Sequence, residues 1–136
     1  MKIPKDIQEI FEKDKAVAFG TATPDGKPNI CMVAIKKIRD DETILLVDNY
    51  FNKTYANIHK NAKGSILTKR AEDKLWYQLK GTYEYINTGS DYEEIKQWAK
   101  SIKDTLPAKG VLVFKVEEIY NSIPGPNAGN PIGEEY

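Results

Sequence analysis

Ala16-Val17-Ala18-Phe19-Gly20-Thr21-Ala22-Thr23-Pro24-Asp25-Gly26-Lys27-Pro28-Asn29-Ile30-Cys31-Met32-Val33 decides the fold. Proline presets φ, aspartate bonds to its own backbone and glycine accepts positive φ, so Pro24-Asp25-Gly26-Lys27 is hairpin-turn chemistry between two β runs. Residues 16–23 therefore read as a strand and 29–38 as a second. A charged turn over 39–42 leads to a third, buried strand over 43–47, and three strands joined by tight turns form an antiparallel meander. Upstream, Ile7, Ile10 and Phe11 recur at helical spacing behind Pro4, a residue that a first helical turn tolerates, which predicts an amphipathic helix over 5–13.

Downstream, residues 48–52 break the strand pattern. A short helix over 53–60 follows, with Asn52 as N-cap and Ala56 and Ile58 facing inward. Strands over 64–70 and 75–86 flank a turn. Gly81, in mid-strand, marks a bulge or a close backbone approach. Ser90 and Glu93 have capping-box spacing. Ile95, Trp98, Ala99, Ile102 and Leu106 then share one face of a helix over 91–104, and a closing strand spans 111–116. Three prolines and three glycines between Pro124 and Gly133 exclude regular structure from the tail. Six strands with short helices suggest a small, mostly antiparallel barrel, whose closure removes exposed edges.

Composition narrows the chemistry. The chain has 136 residues, a single-domain length. Twenty Lys and Arg balance twenty Asp and Glu, whereas a nucleic-acid binder needs a basic excess to neutralise phosphates. No apolar run reaches the ~18 residues of a membrane span. Residues 1–15 are charged throughout, without a signal-peptide core. Cys31 is the only cysteine and His59 the only histidine, so neither a disulfide framework nor a Cys/His metal cage is available. The expectation is a cytoplasmic protein, with no nucleic-acid or membrane partner and no metal, whose chemistry comes from a cofactor.

Asp48-Asn49-Tyr50-Phe51-Asn52-Lys53-Thr54-Tyr55-Ala56-Asn57-Ile58 is the stretch richest in chemistry. It leaves a buried strand and opens a helix whose first N–H groups, with the Lys53 charge and the Thr54 hydroxyl, suit a phosphate monoester. The same residues also read as an ordinary capped helix with a solvated lysine. Cys31 reads as a small strand residue rather than a nucleophile, since no histidine neighbours it in sequence. His59 reads as solvent-facing, and Ile35-Lys36-Lys37-Ile38-Arg39 as a solvated face. Lys69 and Arg70 either meet a phosphate or blunt an edge. The tail is either frayed, or ordered as a wrap across a partner chain or a lid over the bound cofactor, with Ile132 and Tyr136 as anchors.

Three motifs in this order, Gly20-Thr21-Ala22-Thr23-Pro24-Asp25-Gly26-Lys27-Pro28-Asn29, Asn52-Lys53-Thr54 with Ala56-Asn57-Ile58, and Gln78-Leu79-Lys80-Gly81, resemble the FMN-binding split-barrel family of pyridoxamine 5'-phosphate oxidase and small FMN-binding proteins. The resemblance spans about Ile7 to Val116. It implies a mostly β fold, a six-stranded antiparallel split β-barrel with short flanking α-helices. That domain covers 1–120, and a Pro/Gly-rich tail covers 121–136. It also implies a homodimer holding FMN at its two-fold interface. Lys53 and Thr54 then grip the phosphate. Cys31, Met32 and Val33 run along the isoalloxazine edge, Asp48, Asn49 and Asn52 line the site, and Gln78 comes from the partner's fifth strand. The implied activity is hydride or electron transfer on a small-molecule redox substrate by an FMN-dependent oxidoreductase, with no catalytic side chain named. A non-catalytic electron carrier and a deazaflavin-binding relative are the alternatives. No arginine follows Arg70, which departs from the C-terminal substrate-phosphate motif of true pyridoxamine 5'-phosphate oxidase.

Overall fold

The computed structural model describes residues 1–133; the expected anchor Tyr136 and the last three positions of the tail lie outside them. Helix α1 (Lys5–Lys13) is followed by β1 (Val17–Ala22), β2 (Pro28–Val33), β3 (Lys36–Asp40) and β4 (Thr43–Asp48). Next come α2 (Lys53–Ile58), β5 (Lys63–Arg70), β6 (Leu75–Ile86), α3 (Ser90–Ile102), β7 (Gly110–Asn121) and β8 (Pro131–Ile132). The sheet runs β2-β1-β5-β6-β7-β4-β3, with β8 added on β7, and every pairing is antiparallel. This is a split barrel.

The expected second strand breaks at Ala34 and Ile35. Its first half pairs with β1 and its second with β4, at opposite ends of the sheet. The meander is therefore two hairpins joined by a corner, which the Val47 N–H fixes by donating to the Ile35 carbonyl at 3.0 Å. Periodicity reports which face a strand buries but not which edges pair, so one run of residues looked like one strand. The division here and the added β8 turn six strands into eight among the described residues. Pro131 and Ile132 do adopt regular structure, contrary to the sequence expectation, because Ile132 stands opposite Ile119 and packs on the core.

Register explains the core. Cys31, Phe19, Ile66, Leu79, Ile119 and Ile132 stand opposite one another across six strands, all facing inward. Phe19, Ile66, Leu79 and Ile119 are at most 1% exposed. Each such side chain contributes ~1.5–3 kcal/mol on burial. All of β4 is buried because it serves two layers. Ile44 and Leu46 face the barrel, while Leu45 and Val47 face Tyr92, Ile95 and Ala99 of α3. At Gly81 the β6–β7 register slips, and a Cβ there would lie 1.9 Å from the Lys115 carbonyl oxygen, so both expectations for this glycine hold.

The helices depart from the sequence in detail. The capping box is not made: Gly89, at φ 98°, is the N-cap of α3 and Ser90 is already helical. On α3, Ile102 is exposed, and Trp98 is half-buried, packed against the Val47, Ala99 and Ala108 core cluster with the Lys37 ammonium over its ring. On α2, Ala56 is exposed and Asn57 takes the inward place. Asn52 sits at the N-cap without a side-chain bond. Lys36, expected to be solvated, is buried and donates to the Phe11 carbonyl at 2.7 Å, closing the C-terminal end of α1. Burial lowers its pKa, but a cation at a helix C-terminus is favourably placed.

Candidate functional site

Polar residues in core phase locate the site. Thr21 and Asn29 continue the inward rows of Phe19 and Cys31, facing each other across β1 and β2. Helix α2 lies over them and makes their bonds. Asn29 Nδ2 donates to Thr54 Oγ1 at 3.0 Å, and Asn57 Nδ2 donates to Thr21 Oγ1 at 3.1 Å. Asn61 Nδ2 reaches the Ala22 carbonyl at 3.3 Å just past the helix. A six-residue helix has little stability of its own, so these bonds and buried Ile58 hold it in place. The Thr54 hydroxyl also bonds the Cys31 thiol. Burial raises that thiol's pKa, the Thr54 bond lowers it, and the Asp48 charge raises it again.

Beside this seam a cleft of about 250 Å³ opens at the β2–β3 corner. Its walls include Cys31, Met32, Val33, Val47, Asn49 and Phe51. The structure thus brings together four of the expected residues: Cys31, Met32, Val33 and Asn49. Asn49 is partly committed, since its Oδ1 accepts the N–H of Ala108, a residue at φ 43°. Asn52 and Lys53 are exposed where α2 begins, and Lys53 has no ion-pair partner among the described residues. Thr54 is only 1% exposed and turned toward Asn29. Gln78 stands three strands from β2, ~14 Å away, in the outward row Met32–Ala18–Leu67–Gln78, so within one chain it does not reach the cleft.

Asp48 does not line the cleft. Its side chain is 0% exposed, Oδ1 accepts the Phe51 N–H at 2.9 Å, and Oδ2 accepts the Tyr85 hydroxyl at 2.7 Å. Burial first, then this bond, holds the Tyr85 phenol well above the usual tyrosine range. The Tyr85 ring meets Tyr55 and His59, whose rings lie 4.3 Å apart, so the exposed histidine belongs to an aromatic cluster rather than standing free in solvent. Sequence reading missed Tyr85, Asn29 and Phe51. Asn29 had a signal, a polar residue in core phase; the Tyr85–Asp48 pair joins strands far apart in the chain and had none.

Other places suit a phosphorylated cofactor less well. A larger groove of about 480 Å³ presents four carboxylates, Asp40, Asp41, Glu42 and Glu84, against Arg39 and Lys115. Lys69 and Arg70 are occupied by Asp14 and Asp73. No group of side chains that could hold a metal occurs among the described residues, and none of their helices is long and apolar enough to cross a membrane.

Residues 3–122 match the pyridoxamine 5'-phosphate oxidase family. An uncharacterized protein of Methanocaldococcus jannaschii is 35% identical over 99% of this chain and 91% of its own length. HupZ of Group A Streptococcus is 30% identical, with a TM-score of 0.80 over 93% of this chain and 99% of that one. An FMN-binding protein of Syntrophomonas wolfei is 23% identical, with a TM-score of 0.68 over 84% of this chain and 86% of that one. The same fold occurs, at 15% and 13% identity, in an F420 reductase (TM-score 0.67 over 86% of this chain and 98% of that one) and in HutZ, the heme storage protein of Vibrio cholerae (TM-score 0.66 over 90% and 97%). With its sheet order, its corner cleft and a match that spans nearly the whole barrel, the chain belongs to the pyridoxamine 5'-phosphate oxidase family of split-barrel proteins.

Proposed function

We propose that the chain binds FMN in the corner cleft as a homodimer and works as an oxidoreductase on a small-molecule substrate. The observation that carries this reading is the mostly apolar corner cleft, with the exposed start of α2 following directly on its Phe51 wall. Apolar Val33, Val47 and Phe51 suit the benzenoid part of a flavin. Among the described residues β2 ends the sheet and pairs only with β1, which leaves alternate backbone groups along Cys31 and Met32 for a heteroaromatic edge. Lys53 offers an unpaired cation for the phosphate, and Asn52 flanks it. The residues therefore fit the group. Thr54, buried and bonded to Asn29, supports Cys31 from behind. Bound FMN supplies the two-electron chemistry, and the chain binds, orients and shields it.

Two facts favour a site shared by two chains. A cleft of about 250 Å³ falls short of the ~300–1,000 Å³ typical of cofactor sites. Next to it, Ile30 and Met32 are 72% and 59% exposed, and Leu67 lies in the Met32 row. An apolar face continuous with the cleft wall suits an isologous contact, which would bring the partner's Gln78 face against it. Haem is the weaker reading: His59, the only histidine, is engaged with Tyr55 and Tyr85.

The test is the visible spectrum of the purified protein, mass analysis of what denaturation releases, and an FMN titration followed by thermal unfolding. A flavin spectrum, released FMN and a rise in Tm with FMN support the proposal. A haem or deazaflavin spectrum, or no shift with excess FMN, overturns it. Sedimentation as a dimer supports the shared site, and a monomer at working concentration overturns that part. Turnover with a nicotinamide donor and an artificial acceptor separates an enzyme from an electron carrier.

A further inference from the structure

Asp48 is a buried carboxylate without a counter-charge among the described residues. It is fully enclosed at the end of β4, and no ion pair among the described residues includes it. Among the described residues only two neutral donors satisfy its side chain, the Phe51 N–H and the Tyr85 hydroxyl. Carboxylates are seldom kept this way, because desolvation is costly without a cation. A mere anchor for the Phe51 loop could have been an asparagine. Both groups through which Asp48 acts lie on the cleft: Phe51 forms its wall, and the Cys31 thiol, also on the wall, feels the carboxylate's field.

We infer that Asp48 is an electrostatic positioning residue that holds down the reduction potential of the flavin in the cleft, and that the Tyr85 hydroxyl moderates it. The inference rests on the FMN reading above. Reduction adds negative charge to the ring system, and a fixed negative charge just behind the wall, in a poorly screened interior, opposes that change. The Tyr85 hydrogen bond drains part of the charge from Oδ2. The two residues therefore act with opposite signs, which a purely structural role would not produce.

The experiment uses the full chain in three forms, wild type, Asp48→Asn and Tyr85→Phe. Asparagine can still accept from Phe51 and donate to the Tyr85 oxygen, so the loop keeps its bonds. First, alkylation of Cys31 against pH is measured without flavin. Asp48→Asn should lower the apparent thiol pKa, and an unchanged profile overturns the inference whatever the cofactor is. Second, FMN-loaded proteins are titrated against redox dyes. Asp48→Asn should raise the ratio of affinities for reduced and oxidised FMN about tenfold, or ~30 mV for a two-electron couple. Tyr85→Phe should shift it the other way. No shift, or shifts of the same sign, overturns the inference while leaving FMN binding intact. If Asp48→Asn does not fold, Tyr85→Phe alone decides by its sign. A wild type whose thiol pKa responds to Asp48 but which takes up no FMN overturns the cofactor reading, and this inference with it.

Discussion

Replacing Thr54 by valine removes one oxygen from a buried seam while keeping the side chain's shape. Thr54 is 1% exposed, and its Oγ1 accepts from Asn29 Nδ2 at 3.0 Å. A neutral hydrogen bond contributes ~0.5–1.5 kcal/mol net, and stranding a buried partner costs ~1–3 kcal/mol. Asn29 is only half-buried, so water recovers part of its loss, and the expected cost is ~1–2 kcal/mol. For a domain of this length that is a fall in Tm of roughly 3–8 °C. The same hydroxyl lowers the Cys31 pKa, so its removal should also move the thiol's alkylation profile to higher pH. Urea unfolding of Thr54→Val, Asn29→Ala and the double variant isolates the pair, whose coupling should exceed ~0.5 kcal/mol. Additive losses together with an unmoved thiol profile would show that the seam does not hold α2 to β2.

Three further outcomes follow from single residues. Burial pushes the Tyr83 phenol up from 10.0 to about 12, so between those pH values the unfolded chain holds fewer protons than the folded one and stability falls as pH rises, an alkaline slope that Tyr83→Phe should flatten in chemical denaturation. Gly81→Ala places a Cβ 1.9 Å from the Lys115 carbonyl oxygen and should cost ~3 kcal/mol or more, read from the urea midpoint. Lys53→Ala should weaken FMN binding roughly ten- to hundredfold by calorimetry and leave riboflavin nearly unchanged, since an unpaired surface lysine can act only on the phosphate; equal losses would place the phosphate elsewhere.

Most of the barrel was legible because its strands carry their inward phase in the residues themselves. Phe19, Ile66, Leu79 and Ile119 are large, apolar and correctly spaced, and the Gly26 turn, at φ 97°, does what Pro-Asp-Gly chemistry predicts. What the chain could not announce is adjacency. The break at Ala34 and Ile35 depends on which edges β2 and β3 find, and β8 depends on Ile119 being there to pair with Ile132. Lys36 looked solvated because its partner, the Phe11 carbonyl, is 25 residues away. The site divides along the same line. Cys31, Met32, Val33 and Asn49 come together because strand and loop place them locally, whereas the roles of Asp48 and Thr54 follow from Tyr85 and Asn29, which only folding brings to them.

That division bears on why this corner is the one proposed as the site. A barrel closed by one unbroken strand would use every backbone group of that strand in pairing. Here the strand turns at Ala34 and Ile35, β2 is left with an unpaired edge, and the cleft opens where the sheet splits. An exposed edge beside bare Ile30 and Met32 is an aggregation hazard unless something covers it. On the reading proposed above, a second chain and a planar ligand would cover it together, the chain supplying apolar area and the ligand meeting the free polar groups. On this argument cofactor and dimer are one device, so FMN should tighten the dimer. Sedimentation with and without FMN over a dilution series tests the coupling: by linkage, any gain in dimerisation free energy must equal the gain in FMN binding free energy summed over the dimer's two sites. A dimer constant indifferent to FMN would separate the two and leave the edge to be covered by the chains alone.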